Sequence, residues 1–242
     1  MRVAIVHHWF VTLGGGERVA EVLAGMFPEA ELFSLFVEKD QLPPALRERT
    51  IHTSFLQKIP GARKIHRHLL PLYPYAVEAL DLTGFDLVIT SDSGPMKGIV
   101  TNPHATHICY CHSPMRYVWD GYNAYMRNSP ALARIPFSLA AHYVRNWDYI
   151  AAQRVDRFVA NSRYVAFRIA RYYGRESSVI HPPVETRLGS IAPVHEDYYL
   201  AAGRLVGYKK TDLMIEACNR LRRRLRVVGD GPEYKRLKRM AG

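Results

Sequence analysis

Arg204, Lys209 and Lys210 stand just ahead of Thr211-Asp212, a pair that reads as the opening of a helix. Cations at that place suit a diphosphate. The free N–H groups and dipole of a helix N-terminus attract an anion, and the side chains add full charges. Lys209 and Lys210 are adjacent, and the spacing does not choose between them. Further on, Val228-Gly229-Asp230-Gly231-Pro232-Glu233 forms a glycine-rich turn, with Gly229 as a candidate substrate contact. The chain ends soon after, at Gly242.

A second set of candidates lies near the N-terminus. An apolar run ends in His7-His8-Trp9-Phe10, and Gly14-Gly15-Gly16 precedes Glu17-Arg18-Val19. Glycines before a helix allow close backbone approach and leave N–H groups for an anion or a sugar, which makes Gly15 and Gly16 candidates. A dinucleotide fingerprint fits less well, because Val19 stands where its third glycine belongs; Glu38 would have been its ribose acid. A third stretch, Cys109-Tyr110-Cys111-His112-Ser113-Pro114, leaves another apolar run. Alternation along a strand puts His107, Cys109 and Cys111 on one face, yet no second cluster completes a zinc site, so buried strand cysteines are expected. His112 falls at the strand's end, facing the crevice, with Asp120 as a candidate partner. No Asp-x-Asp, no Gly-x-Ser-x-Gly and no Walker-type loop occurs. That argues against carboxylate-bridged divalent metal, α/β-hydrolase and P-loop chemistry.

These residues need elements to carry them. Strands are expected at Val3–His7, Glu31–Phe36, Leu87–Thr90, Thr106–Cys111, Arg157–Ala160 and Ser178–His181. Helices are expected to begin near Gly16, Gln41, Ala62, Ala131 and Arg163. Such alternation implies an α/β fold with a mostly parallel sheet, whose strand ends carry the chemistry. Residues 188–193 read as a linker, which divides the chain into domains 1–190 and 191–242. Beyond it comes a fresh strand–helix–strand unit, Tyr198–Ala202, Thr211 to about Arg222 and Leu225–Val228, and then a helix over Glu233 to Met240. So small a second domain should leave an unpaired strand edge and exposed apolar surface. Segment Gln57–Leu80 mixes Lys58, Arg63, Lys64, His66, Arg67 and His68 with leucines and tyrosines. It reads as an amphipathic helix packed on the sheet, cut short by Pro71 and Pro74, with a membrane-interface helix as the rival.

The formal net charge is +11, and residues 196–242 hold 12 Lys+Arg against 6 Asp+Glu. That balance suits nucleotide phosphates or anionic headgroups. Nothing resembles a nucleic-acid-binding motif, and Arg222-Arg223-Arg224 reads as a solvated helix end. Three cysteines, no signal-like N-terminus and no membrane-length apolar run point to a reducing cytoplasm.

In order along the chain, Gly-Gly-Gly-Glu-Arg-Val at 14–19, His-Ser-Pro at 112–114, Val-Ala-Asn-Ser at 159–162, His-Pro-Pro-Val at 181–184, Gly-Arg-Leu with Lys209 at 203–209, and Val-Gly-Asp-Gly-Pro-Glu at 228–233 resemble the family 4 glycosyltransferases. The resemblance implies a GT-B fold, with a complete N-terminal Rossmann-like domain on the acceptor side and an incomplete second one that binds the nucleotide-sugar. It implies retaining transfer of a hexose without a metal or other cofactor, to a lipid-linked or polysaccharide acceptor. The mannosyltransferase-type members are the nearest in pattern, which suggests GDP-mannose as donor and peripheral association with the cytoplasmic membrane face. Arg204 and Lys209, or Lys210 in its place, would neutralise the donor diphosphate. His112 would touch the transferred sugar, and Gly15 and Gly16 would approach the donor phosphate or acceptor. Asn161 and Ser162 read as a helix cap. The family's two C-terminal glutamates have no counterpart before Gly242, so a fragment, a disrupted frame or a second completing polypeptide is expected, and with it impaired transfer by the 242-residue chain alone. A non-enzymatic domain that binds nucleotides, membranes or a partner is the alternative.

Overall fold

The computed structural model describes residues 1–65, 69–186, 189–190 and 196–241. The chain divides into two compact units, Met1–Val184 and Glu185–Gly242. Of the expected linker, Leu188 and 191–193 lie outside the described residues.

The first unit runs β1 (Val3–Phe10), α1 (Gly15–Met26), β2 (Glu31–Val37), β3 (Ile51–Thr53), α2 (Ala62–Ile65), α3 (Tyr73–Glu78), β4 (Leu87–Asp92) and β5 (Thr106–Cys111). It continues with α4 (Tyr122–Asn128), α5 (Ala131–Gln153), β6 (Arg157–Ala160), α6 (Arg163–Tyr173) and β7 (Ser178–Val179). The strands form one parallel sheet in the order β3-β2-β1-β4-β5-β6-β7. Its central strands carry continuous apolar runs such as Val3–Val6 because both faces are covered. Ala4 and Val6 join a core with Leu35, Val88 and Val144, while Val3 and Ile5 point the other way, among Ala20, Ala24 and Leu32. From β1 the chain winds outward through β2 and β3, then returns to place β4 on β1's other side. The crevice at the carboxyl ends of β1 and β4 is therefore a topological switch point, where such sheets bind ligands.

Three expectations need correction. Pro74 does not cut a helix short: it lies in the first turn of α3, where its missing N–H costs nothing. Near Gln41 there is a single 3₁₀ turn, Lys39–Gln41, and no α-helix. The short β3 and the helix α4 have no counterpart in the sequence reading, while α3 falls within the segment 57–80 read as a packed amphipathic helix. In segment 57–80 the packed reading holds, since Leu70, Tyr73, Ala76 and Val77 are buried. His66, Arg67 and His68, with the side chains of Arg63 and Lys64, lie outside the described residues.

The second unit is β8 (Tyr199–Ala202), α7 (Thr211–Leu221), β9 (Leu225–Val228) and α8 (Tyr234–Met240), with β8 and β9 paired in parallel. Among the described residues Leu205, Ile215 and Leu237 form its buried core, with Leu225 and Met240 packed against it. Tyr199, Leu200 and Val228 are more than half exposed, the apolar strand surface that so small a unit is expected to leave.

Candidate functional site

The switch point gathers four elements. His7 of β1 and Ser91 of β4 are register partners, and His112 follows the last residue of β5. His112 is pinned by its backbone: its N–H donates to the Asp92 carbonyl (2.7 Å), and its carbonyl accepts from Asn161 Nδ2 (3.0 Å). The fourth element is the first turn of α1. A Cβ on Gly16 would lie 3.3 Å from His7 Cε1 and 3.6 Å from His112 Nε2, so glycine lets that turn close on both imidazoles. A Cβ on Gly15 would meet nothing within 4 Å. The structure thus brings Gly16 and His112 together.

One contact fixes a proton. His7 Nδ1 is 3.0 Å from the Ser91 carbonyl, which only accepts, so Nδ1 carries the proton. Ser91 Oγ, 3.2 Å from the same nitrogen, accepts from it too, and lies 2.8 Å from His112 Nε2, to which it can give its own hydroxyl proton. With that donation His112 holds its proton on Nδ1 and offers an N–H donor. Burial and then His112 push His7 down to about 3, and burial and then His8 push His112 down to about 4. Both rings are neutral near pH 7. Glu17 is buried in the first turn of α1, with Oε1 4.0 Å from His7 Nε2.

Beneath this group runs a buried ionic strut. Lys97 is held between Asp92 (3.5 Å) and Asp148, and donates to the Gly94 carbonyl (2.8 Å). Burial opposes its charge, but Asp148 and then Asp92 outweigh it and raise the Lys97 pKa. Asp148 also accepts from Trp119 Nε1 (2.7 Å) and Tyr173 Oη (2.8 Å). Asp92 accepts the backbone N–H groups of Gly94 (2.7 Å) and Met96 (3.1 Å), which sets the turn after β4.

Asp120 does not pair with His112 as expected. Its carboxylate takes Arg168 at 2.7 Å, and Arg168 also reaches Ser113 Oγ (2.5 Å) and the Pro114 carbonyl (3.3 Å). Asp120 so braces the turn behind His112. Ser162 caps α6, accepting from Val165 N–H at 3.2 Å. Cys109 and Cys111 are buried, as expected of strand cysteines. Among the described residues no three His, Cys, Asp or Glu side chains group to hold a metal ion.

In the second unit the two glycine-rich stretches meet. Gly203 N–H donates to the Val228 carbonyl (2.9 Å), and Leu205 N–H to the Asp230 carbonyl (2.8 Å). Gly229, at φ +145°, accounts for itself without a ligand, since a Cβ there would fall 1.9 Å from the Gly203 oxygen. Arg204, Lys209 and Lys210 are exposed, and Lys210 precedes α7 in a left-handed conformation (φ 55°) with no side-chain cap. Asp212 in the first turn shares that helix end, bonding Leu213 N–H (3.1 Å) and Arg236 (3.2 Å).

His7, Ser91, Glu17 and the Asp92–Lys97–Asp148 strut had no role in the sequence reading. The signal was there in part: His7 ends an apolar strand, and Glu17 opens a helix behind three glycines. Ser91 and Asp148 come from distant segments that only the sheet order joins to them.

A seven-stranded parallel sheet with histidines at its switch point, followed by a second, β-α-β-α unit, fits the GT-B architecture. The chain belongs to Glycosyltransferase Family 4, whose family model matches residues 13–188. Among solved structures it is similar to HepE of Anabaena in complex with UDP, at a TM-score of 0.63 and 14% identity. That match covers 99% of this chain and 64% of HepE, and at this identity it speaks for the fold. No curated protein sequence matches the chain.

Proposed function

We propose that the chain acts in metal-independent, retaining transfer of a hexose from a nucleotide-sugar to a lipid-linked or polysaccharide acceptor. The observation that carries this reading is His112. It is pinned through its backbone at the switch point, with its Nε2 2.8 Å from Ser91 Oγ, and in this reading Ser91 donates to it so that Nδ1–H is left as a donor for a sugar oxygen. A neutral donor suits a hydroxyl, which a cation would bind no more selectively and a bare nitrogen could only accept from. In this reading Gly16 gives the sugar or phosphate access to the first turn of α1, and Gly15 leaves open space beside it. Arg204 and Lys209, with Lys210 next in line, meet the charge of the donor diphosphate and of the departing nucleotide. HepE binds UDP; for this chain a nucleoside diphosphate is the proposed ligand, with GDP-mannose and UDP-glucose as the donors to try first. The acceptor side is taken to work at the cytoplasmic membrane face.

Calorimetric titration of the full chain with UDP, GDP and ADP tests the reading, followed by transfer of label from GDP-mannose and UDP-glucose to membranes. The expected result is binding of one diphosphate that Arg204→Ala weakens. No binding of any of the three, and no transfer of label, would sink it.

A further inference from the structure

We propose that Glu17, backed by the bare Nε2 of His7, determines specificity at the first turn of α1: the two take neighbouring hydroxyls of a neutral acceptor sugar and keep phosphate out. This pair deepens the transferase reading above, on which it rests, because that reading leaves both sugar and phosphate open to Gly16. Both members are proton acceptors. His7 Nδ1 has committed its proton to the Ser91 carbonyl (3.0 Å), which leaves Nε2 as a lone pair. That nitrogen makes no hydrogen bond, and His7 is 1% exposed. It points at the first turn of α1, 3.8 Å from where a Cβ on Gly16 would sit and 4.0 Å from Glu17 Oε1. Neither atom can donate to the other, so whatever bonds both must bring the protons. Adjacent hydroxyls of a sugar bring one each, whereas a phosphoryl group near pH 7 brings a charge of about −1.5 to −2. The carboxylate is within reach: a Cβ on Gly14 would lie 3.0 Å from Glu17 Oε2, and Gly14 and Gly15 are exposed.

Charge decides against phosphate. A helix N-terminus invites an anion, and Gly14 gives α1 no side-chain cap. Glu17 already supplies that anion from within the first turn. Among the described residues no Lys or Arg pairs with it, and Arg18, next in the chain, pairs with Glu21. The imidazoles nearby are neutral, since burial holds His7, His8 and His112 well below pH 7. The charges built into the switch point are Glu17, Asp92, Asp120 and Asp148 against Lys97 and Arg168, a net of −2. A phosphate placed there meets like charge at short range, where burial weakens screening by salt. The sign is the reverse of the whole chain's, +11, and of the exposed Arg204, Lys209 and Lys210 in the second unit. Hydroxyls meet no such penalty. With the proposed His112 Nδ1–H, the switch point has one group to give a sugar hydroxyl a proton and two to take one.

Amide spectra of the ¹⁵N-labelled full chain test both halves of the proposal. Titration with methyl α-D-glucopyranoside is expected to shift the Gly15, Gly16 and Glu17 signals, and inorganic phosphate at the same concentration is expected to leave them in place. Glu17→Gln should let phosphate shift those signals, with its affinity raised about tenfold, and should weaken the glycoside about tenfold. Glu17→Asp restores the charge and should restore the exclusion of phosphate. Should Glu17→Gln melt early, the two wild-type titrations and Glu17→Asp still decide. Phosphate that shifts the α1 signals of the wild type overturns the proposal. So does a glycoside that leaves them in place, or one that binds Glu17→Gln as tightly as the wild type. UDP and GDP titrations of the same samples, read at Gly207 and Lys209, are expected to be unchanged by the Glu17 variants. A chain that binds neither nucleotide there but takes the glycoside at α1 would fail the transferase reading alone, and the converse result would fail this proposal alone.

Discussion

In the first unit the candidate site is built from groups that hold each other. His7, Ser91 and His112 share one chain of hydrogen bonds, and Lys97 is locked between two carboxylates below them. In the second unit Arg204, Lys209 and Lys210 are exposed on a unit whose core, among the described residues, has three buried side chains. One site is held by its own hydrogen bonds and ion pairs; the other, in the proposed reading, would be ordered by the anion it binds. The first should therefore be sensitive to substitutions and pH that unbalance buried groups, and the second to ionic strength and the loss of single charges.

The largest expected effect lies in the strut. Asp148→Ala leaves the Lys97 ammonium buried beside Asp92 alone and unpairs Trp119 and Tyr173, so stability should fall by about 3–5 kcal/mol. Urea denaturation measures it, and a loss below about 1 kcal/mol would mean that water reaches Lys97. Acid should act next. His7 and His8 are pushed down to about 3, and His107 and His112 to about 4, burial being the first cause for each. An unfolded histidine protonates near 6.5. Below that pH the unfolded chain binds more protons than the folded one, so this stability is whole above pH 6.5 and is lost as pH falls. Each imidazole contributes roughly 2 kcal/mol of that loss by pH 5. A melting temperature that stays flat between pH 7.5 and 5 would show that the imidazoles are not buried neutral.

The sheet's parallel class was legible in the sequence because both-sided burial writes continuous apolar runs such as Val3–Val6 and Leu87–Thr90. β5, β6 and β9 fall on the bounds expected of them, while β1 runs past the expected end at His7 through His8 to Phe10. The partner of His7 is Ser91, 84 residues away, which local pattern cannot reveal. The same limit hid Asp120's partner: Arg168 lies 48 residues on, across α6, and a nearby histidine seemed the simpler choice. The three cations of the second unit were readable because their setting is local, a turn just ahead of a helix.

A smaller effect sharpens the second half of the comparison. Arg204→Ala and Lys209→Ala should each weaken nucleoside diphosphate binding about tenfold, more at low salt, while changing stability by less than about 0.5 kcal/mol. Lys210→Gly separates the two adjacent lysines. It relieves a non-glycine residue of a left-handed conformation, which should stabilise the second unit by up to about 1 kcal/mol. If affinity then falls as far as in Lys209→Ala, Lys210 is the phosphate contact.

The smallest changes test the glycines at α1, where two neighbouring positions should behave differently. Gly15→Ala places a methyl group in open space, and both stability and transfer should stay near wild type. Gly16→Ala puts its Cβ against His7 and His112, so one of the imidazoles must move by a few tenths of an ångström. That shift is felt at the 2.8 Å contact between Ser91 Oγ and His112 Nε2, on which the proposed His112 tautomer rests. Long-range ¹⁵N spectra of imidazole-labelled protein read the tautomer directly. The wild type and Gly15→Ala should show the His112 proton on Nδ1, and Gly16→Ala should show a mixture, with transfer down about tenfold. A wild-type proton on Nε2 would remove the donor from the site. His112 would then be a bystander held by Ser91, and the preorganised half of the molecule would lie elsewhere on the same strand ends.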